Sequence, residues 1–229
     1  MEEFAGVSEN VARIQRNIQD CLDVSGRSGE TVTIVAVTKT FPAAAIRAAI
    51  QAGLTDIGES RIQESASKKL DIDLDCRWHL IGHLQKNKIN KALALYDVIQ
   101  SVDSLNLALE INQRATRPID VLLQLNSSGE ETKYGLTPDL LLETARRIAE
   151  LDKIRITGIM TIGPLTDEIR QIRHSFKLTK HLFDELRDSN IPNADIRYLS
   201  MGMTSDYKLA IEEGSNMIRV GTAIFGERG

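Results

Sequence analysis

Eight times along this chain a short apolar run gives way to a longer segment of helical periodicity, and that alternation limits the fold more than any other feature. The short runs cover residues 32–37, 54–57, 78–81, 98–99, 119–125, 154–160, 196–199 and 217–220. Strands that alternate with helices pair in parallel, because each crossover returns the chain to the same end of the sheet. Strands covered on both faces read as continuous apolar runs, as these do. Eight such units in 229 residues match a single eight-stranded β/α (TIM) barrel. An open doubly wound sheet is the competing arrangement, but no Gly-x-Gly-x-x-Gly follows the first run.

The segments between the runs carry helix punctuation. Residues 8–22 place Val11, Ile14, Ile18, Cys21 and Leu22 on one face, with Ser8 as N-cap, so an extra helix precedes the first strand. The segment from Pro42 ends at Gly53, a natural stop. Pro138 follows Thr137 as a first helical residue and opens a helix through Leu141, Ala145 and Ile148. Ile169, Ile172, Phe176, Phe183 and Leu186 mark a longer one, and residues 204–213 close at Gly214. Without a linker, charge block or low-complexity stretch, residues 1–229 read as one domain.

Composition narrows the function classes. Hydrophobic residues are 42% of the chain and aromatics only 4%, so the core is mostly aliphatic. The net charge of -4 is spread along the sequence, against the basic patch of a nucleic-acid binder. The two cysteines, Cys21 and Cys76, have neither metal-ligand nor redox spacing and read as reduced thiols. The start Met-Glu-Glu-Phe-Ala-Gly lacks the basic and apolar regions of a signal peptide, and no apolar stretch is long enough to span a membrane. The expectation is a cytoplasmic protein.

In such a barrel the site forms at the C-terminal ends of the strands. Lys39 follows the first strand in Val-Ala-Val-Thr-Lys-Thr. Partly desolvated there, its ammonium is disfavoured, and a neutral amine can attack a carbonyl to form a Schiff base. After the seventh and eighth strands come Ser200-Met201-Gly202-Met203-Thr204 and Gly221-Thr222. Small residues, hydroxyls and free amides at those two loops suit a phosphate. The plainer reading of the seventh loop is a tight turn with an N-cap. A lysine beside a phosphate cradle leaves two ligand classes, pyridoxal 5′-phosphate or a sugar phosphate in an aldolase. Arg219, inside the apolar last strand, needs an acceptor. A pyridine nitrogen is one; an acid such as Glu59 is another. His79 alternates with Trp78 and Leu80 and points into the barrel, either near the ligand or simply packed. His79-x-x-x-His83 straddles a strand end, which does not suit a metal.

Several stretches carry a family resemblance. They are Val35–Thr40, Gly58–Glu64, Trp78–Lys88, Ser127–Gly135, Ile159–Gly163, Leu199–Asp206 and Arg219–Gly226, in order over nearly the whole chain. The sequence resembles the pyridoxal phosphate homeostasis protein family, also called the YggS/PROSC family. The resemblance implies the barrel of the alanine racemase N-terminal domain, fold type III of the pyridoxal phosphate proteins without the C-terminal β domain. It implies pyridoxal 5′-phosphate as cofactor, Lys39 bonded to its aldehyde, Ser200, Gly202, Gly221 and Thr222 around the phosphate, and Arg219 at the ring nitrogen. Met203, Thr204, Ser60 and His79 complete the expected cofactor-binding set. Where the family reads Gly-Glu-Asn-Arg, this chain has Ser60, whose hydroxyl is shorter and offers fewer donors than the amide.

A carrier is expected rather than an enzyme. The chain ends at Gly229, without the second domain that racemase-like enzymes use, and an arginine at the ring nitrogen makes a poor electron sink. The expected role is cofactor buffering in vitamin B6 and amino-acid or keto-acid homeostasis, by a monomer that serves recipient enzymes. The alternatives are a weak racemase or lyase with Tyr134 or His83 as opposing base, and a class I aldolase.

Overall fold

In the computed structural model, residues 4–130 and 132–227 are described. Eight parallel strands close into a barrel in sequence order, β1 pairing with both β2 and β8. The strands are β1 Thr33–Val37, β2 Asp56–Glu59, β3 Arg77–Leu80, β4 Val98–Val102, β5 Ile119–Leu125, β6 Ile154–Thr161, β7 Ala194–Ser200 and β8 Met217–Val220. The helices are α1 Val7–Val24, α2 Ala43–Gln51, α3 Ile62–Leu70, α4 Ile89–Leu95, α5 Leu105–Arg114, α6 Leu141–Ala149, α7 Ile169–Asp188, α8 Tyr207–Glu212 and α9 Thr222–Phe225. The expected barrel with a leading helix is the observed one.

Two apolar layers hold it. The larger lies between the strands and the helices, where each helix buries one stripe, as Ile172, Phe176, Phe183 and Leu186 do on α7. The smaller lies inside the barrel, where Val35, Val98, Leu122, Met160 and Met217 meet. Every residue of β5 is buried, because both faces of a barrel strand are covered. Helix α1 packs against α2, α8 and α9 with Val7, Val11, Ile14, Ile18, Cys21 and Leu22 inward. Its Asn17 Nδ2 donates to the Tyr207 hydroxyl at 2.8 Å, tying it to α8.

Element boundaries differ from the sequence reading for physical reasons. Ser8 is not the cap of α1: the helix starts at Val7 behind Gly6, because Val7 continues the buried stripe one turn earlier. Pro138 opens a 3₁₀ turn, Pro138–Leu140, which leads into α6. The helix expected from Thr204 begins at Tyr207, since residues 204–206 form a turn. Strand β4 runs beyond the apolar pair at 98–99 to include Gln100 and Ser101, which are polar yet fully buried. Among the described residues no helix is long and apolar enough to cross a membrane, and no group of three candidate metal ligands occurs.

Candidate functional site

A cavity of about 350 Å³ opens at the C-terminal ends of β1, β2, β7 and β8. Its wall includes Lys39, Ser60, Met203, Thr204, Arg219, Gly221 and Thr222 from the expected set, together with Val37, Ile81, Ile162 and Ser205. Strand register brings Lys39 and Arg219 to it from neighbouring strands: Val35 pairs with Arg219, and Lys39 follows two residues past the end of β1. Lys39 is half-buried.

Arg219 is buried, and three of its N–H groups are committed. Nη1 donates to the Ser200 carbonyl at 2.9 Å and to Ser200 Oγ at 2.7 Å. Nη2 donates to the Thr161 carbonyl at 2.7 Å. Burial pushes its pKa down to about 10, against the opposing charge of Asp206, so the guanidinium is still a cation at neutral pH. Burial also lifts the Asp206 carboxyl above the usual range, although the Met203 amide and the Arg219 charge oppose it.

Ser200, Gly202 and His79 do not line the cavity. Ser200 is buried and turned inward to Arg219. Gly202 accepts the Arg219 backbone amide at 3.0 Å and has φ +96. A Cβ there would lie 2.6 Å from that of Ala210 and 2.9 Å from Tyr207 Cα, so the chain can pass this close to α8 only as glycine. His79 is fully buried between Asp56 and Gln100, so its place is a packed, hydrogen-bonded one. Burial holds its pKa below the usual value, with Asp56 opposing, so the ring is neutral.

Glu59 does not pair with Arg219. Its Oε1 accepts from Thr38 Oγ1 at 2.7 Å and from Lys68 Nζ at 2.6 Å. Lys68 also reaches Glu64 at 2.6 Å and the Thr38 carbonyl at 2.7 Å. Glu64 in turn accepts the backbone N–H of Thr40. The residues on either side of Lys39 are therefore held by one hydrogen-bonded cluster centred on the buried Lys68 and Glu59. Sequence reading missed Lys68 and Glu64; the available signal was their i, i+4 spacing on α3. His83 and Tyr134, weighed as opposing bases, stack on each other with ring centroids 3.9 Å apart, and neither lines the cavity.

The pattern of the alanine racemase N-terminal domain matches residues 10–229. The pyridoxal phosphate homeostasis protein of Aquifex aeolicus (strain VF5) is 38% identical over 224 residues, covering 96% of this chain and 97% of that one. The chain belongs to the pyridoxal phosphate homeostasis protein family. Among solved structures, a protein from Bifidobacterium adolescentis described as unknown superposes with a TM-score of 0.93 at 38% identity, covering 98% of this chain and 96% of that one. PipY of Synechococcus elongatus PCC7942, solved with PLP bound, superposes with a TM-score of 0.82 at 34% identity, covering 96% of this chain and all of PipY (100%).

Proposed function

We propose that this chain holds pyridoxal 5′-phosphate as a Schiff base on Lys39 and serves as a carrier and buffer of that cofactor, without strong catalytic activity. The observation that carries the reading is one cavity offering an amine, Lys39, and a buried cation, Arg219, with the hydroxyls of Thr204, Ser205 and Thr222 in the same wall. Its volume of about 350 Å³ lies within the usual range for small-ligand pockets. The PLP-bound structure of PipY, a relative at 34% identity, supports the same choice of ligand.

Each residue has a definite part. Lys39 Nζ, in its neutral form, would be the amine that holds the cofactor through its aldehyde. Thr204, Ser205 and Thr222, with backbone amides near Gly221, would hold the phosphate. Arg219, a cation that can only donate, would face the ring nitrogen and disfavour a proton there. The bound cofactor supplies an electrophilic aldehyde and an electron-withdrawing ring, and the second property is weak when the ring nitrogen is unprotonated.

The carrier reading is favoured over a racemase or lyase by the placement of His83 and Tyr134. Neither lines the cavity, where, among the described residues, the ionisable ones are Lys39 and Arg219. Racemisation needs a base on each face of the substrate carbon, and the cavity wall offers one amine. On this reading the protein works in the cytoplasm as a monomer, in vitamin B6 and amino-acid or keto-acid homeostasis, and yields its cofactor to recipient enzymes.

The test is the visible absorption spectrum of the purified protein with added pyridoxal 5′-phosphate, beside Lys39→Ala. A band in the wild type that is missing from the variant, and that borohydride fixes as a secondary amine on Lys39, is the expected result. A wild type that stays colourless removes the reading and turns attention to sugar phosphates. Turnover of an amino acid at an ordinary enzymatic rate would replace the carrier by the racemase or lyase.

A further inference from the structure

Behind Arg219 the barrel interior is not wholly apolar. Past the cluster of Val35, Val98, Leu122, Met160 and Met217 runs a line of polar side chains. Arg219 Nη1 lies 2.7 Å from Ser200 Oγ, which lies 2.7 Å from Gln100 Oε1. Gln100 Nε2 lies 2.9 Å from His79 Nδ1, and His79 Nε2 lies 2.8 Å from Asp56 Oδ1. Ser200, Gln100 and His79 are fully buried. Asp56 is the first residue of β2, so the line ends at the face of the barrel opposite the cavity, where its side chain is 15% exposed.

The donor and acceptor roles along this line follow from its ends. Burial alone would raise the Asp56 carboxyl, but hydrogen bonds from His79 and Thr55, with the charge of Arg77, outweigh it and hold the pKa below the usual range. Asp56 is thus an anion and only accepts. His79 Nε2 must then carry the ring proton, which leaves Nδ1 as an acceptor on a neutral ring. The Gln100 amide turns its NH₂ to Nδ1 and its oxygen to Ser200. The Ser200 hydroxyl donates to that oxygen and accepts from Arg219. Every proton in the series points from the cation towards the carboxylate.

We propose that Asp56, His79, Gln100 and Ser200 form a one-way hydrogen-bonded column that fixes the plane and roll of the Arg219 guanidinium, so that its remaining N–H groups meet the ring nitrogen of a pyridine ligand. This inference rests on pyridoxal 5′-phosphate being the ligand of the cavity. Arginine has many rotamers, and a guanidinium that must face one nitrogen gains from being set before the ligand arrives. Hydrogen bonds aligned in one direction polarise each other, which strengthens the hold. No carboxylate forms an ion pair with Arg219 among the described residues, although the charge of Asp206 acts on it, and the column links it to the carboxylate of Asp56 at the far end of the barrel. The four supporting residues are positioning residues, since none of them lines the cavity.

The experiment has two arms. In the first, the ligand-free full chain is labelled with ¹⁵N and the His79 ring is read by long-range proton–nitrogen NMR at neutral pH. A neutral ring protonated at Nε2 is expected. A ring protonated at Nδ1, or charged, reverses or breaks the series and overturns the column. In the second arm, pyridoxal 5′-phosphate is titrated into the wild type, Ser200→Ala, Gln100→Met and Ser200→Thr. Ser200→Ala and Gln100→Met should raise Kd about tenfold, as expected when a buried donor loses its partner, and should move the absorption maximum while Lys39 still reacts. Ser200→Thr keeps the hydroxyl and should bind within about twofold of the wild type with the wild-type band. Unchanged Kd and band position in both Ser200→Ala and Gln100→Met overturn the proposal. If Gln100→Met does not fold, Ser200→Ala, the smaller change, decides. A wild type that binds no pyridoxal 5′-phosphate sinks the cofactor reading and the ligand half of this one, whereas the ring state of His79 judges the column by itself.

Discussion

Lys68 Nζ donates to the backbone carbonyl of Thr38 at 2.7 Å, so a cation from α3 grips the residue immediately before Lys39. The same ammonium contacts Glu59 and Glu64, using all three of its protons. Glu59 is fully buried, and burial raises its pKa although Lys68 and Thr38 oppose the rise. Removing Lys68 would strand that carboxyl. Lys68→Met should destabilise the fold by about 3–5 kcal/mol, the usual cost of breaking a buried pair from one side. Adding Glu59→Leu should recover much of the loss, because replacing both partners removes the stranded charge. Urea unfolding of the single and double variants checks this, and additive losses would refute the pairing as the cause.

His79 makes stability depend on pH in a window that can be assigned. Burial, opposed by Asp56, holds its folded pKa below the unfolded value. The unfolded ring takes up a proton as pH falls below about 6.5, while the folded ring stays neutral. Its contribution is therefore complete above that pH and is lost on acidification towards the depressed folded value. Between pH 6.5 and 5 the wild type should lose up to about 1.4 kcal/mol per pH unit more than His79→Gln, the slope of one proton. Chemical unfolding at a series of pH values reads the difference. Parallel curves for the two proteins would show that the folded ring titrates normally.

Gly202 is held by space as well as by its positive φ. Its missing Cβ would fall 2.6 Å from Ala210 Cβ and 2.9 Å from Tyr207 Cα. Gly202→Ala should cost about 1–3 kcal/mol through overpacking, with backbone strain added, and should also weaken cofactor binding by shifting the turn that carries Met203 and Thr204. Thermal unfolding and a binding titration measure the two effects separately. A variant as stable as the wild type would mean that α8 moves away freely.

Ser60 lines the cavity where family relatives are expected to carry asparagine. Ser60→Asn offers a longer side chain with two donors. One added hydrogen bond at about 1 kcal/mol corresponds to roughly fivefold tighter binding of pyridoxal 5′-phosphate. Spectroscopic titration of the two proteins tests it. Weaker binding in Ser60→Asn would indicate that the amide crowds the ligand.

Much of this protein is legible without its tertiary structure. Hydrophobic periodicity is a local property, and eight alternations of apolar run and amphipathic segment lead to the closed parallel barrel that is observed. Strand ends follow from the same pattern, so Lys39 and Arg219 can be singled out before their neighbours are known. Boundaries are less legible where a side chain defies its surroundings. The expected fourth strand stops at residue 99 because Gln100 and Ser101 are polar, yet both are buried in β4, and Gln100 is satisfied by His79 and Ser200 from other strands.

What folding alone decides is the choice among partners. Arg219 and Glu59 could be drawn together from the sequence, but closure of the barrel sends Glu59 outward to Lys68 and turns Arg219 inward to Ser200 and Thr161. Asp56, His79, Gln100, Ser200 and Arg219 come from five strands and share no local spacing. Burial patterns are written along the chain; hydrogen bonds across a barrel depend on register and closure, and neither exists until all eight strands have met.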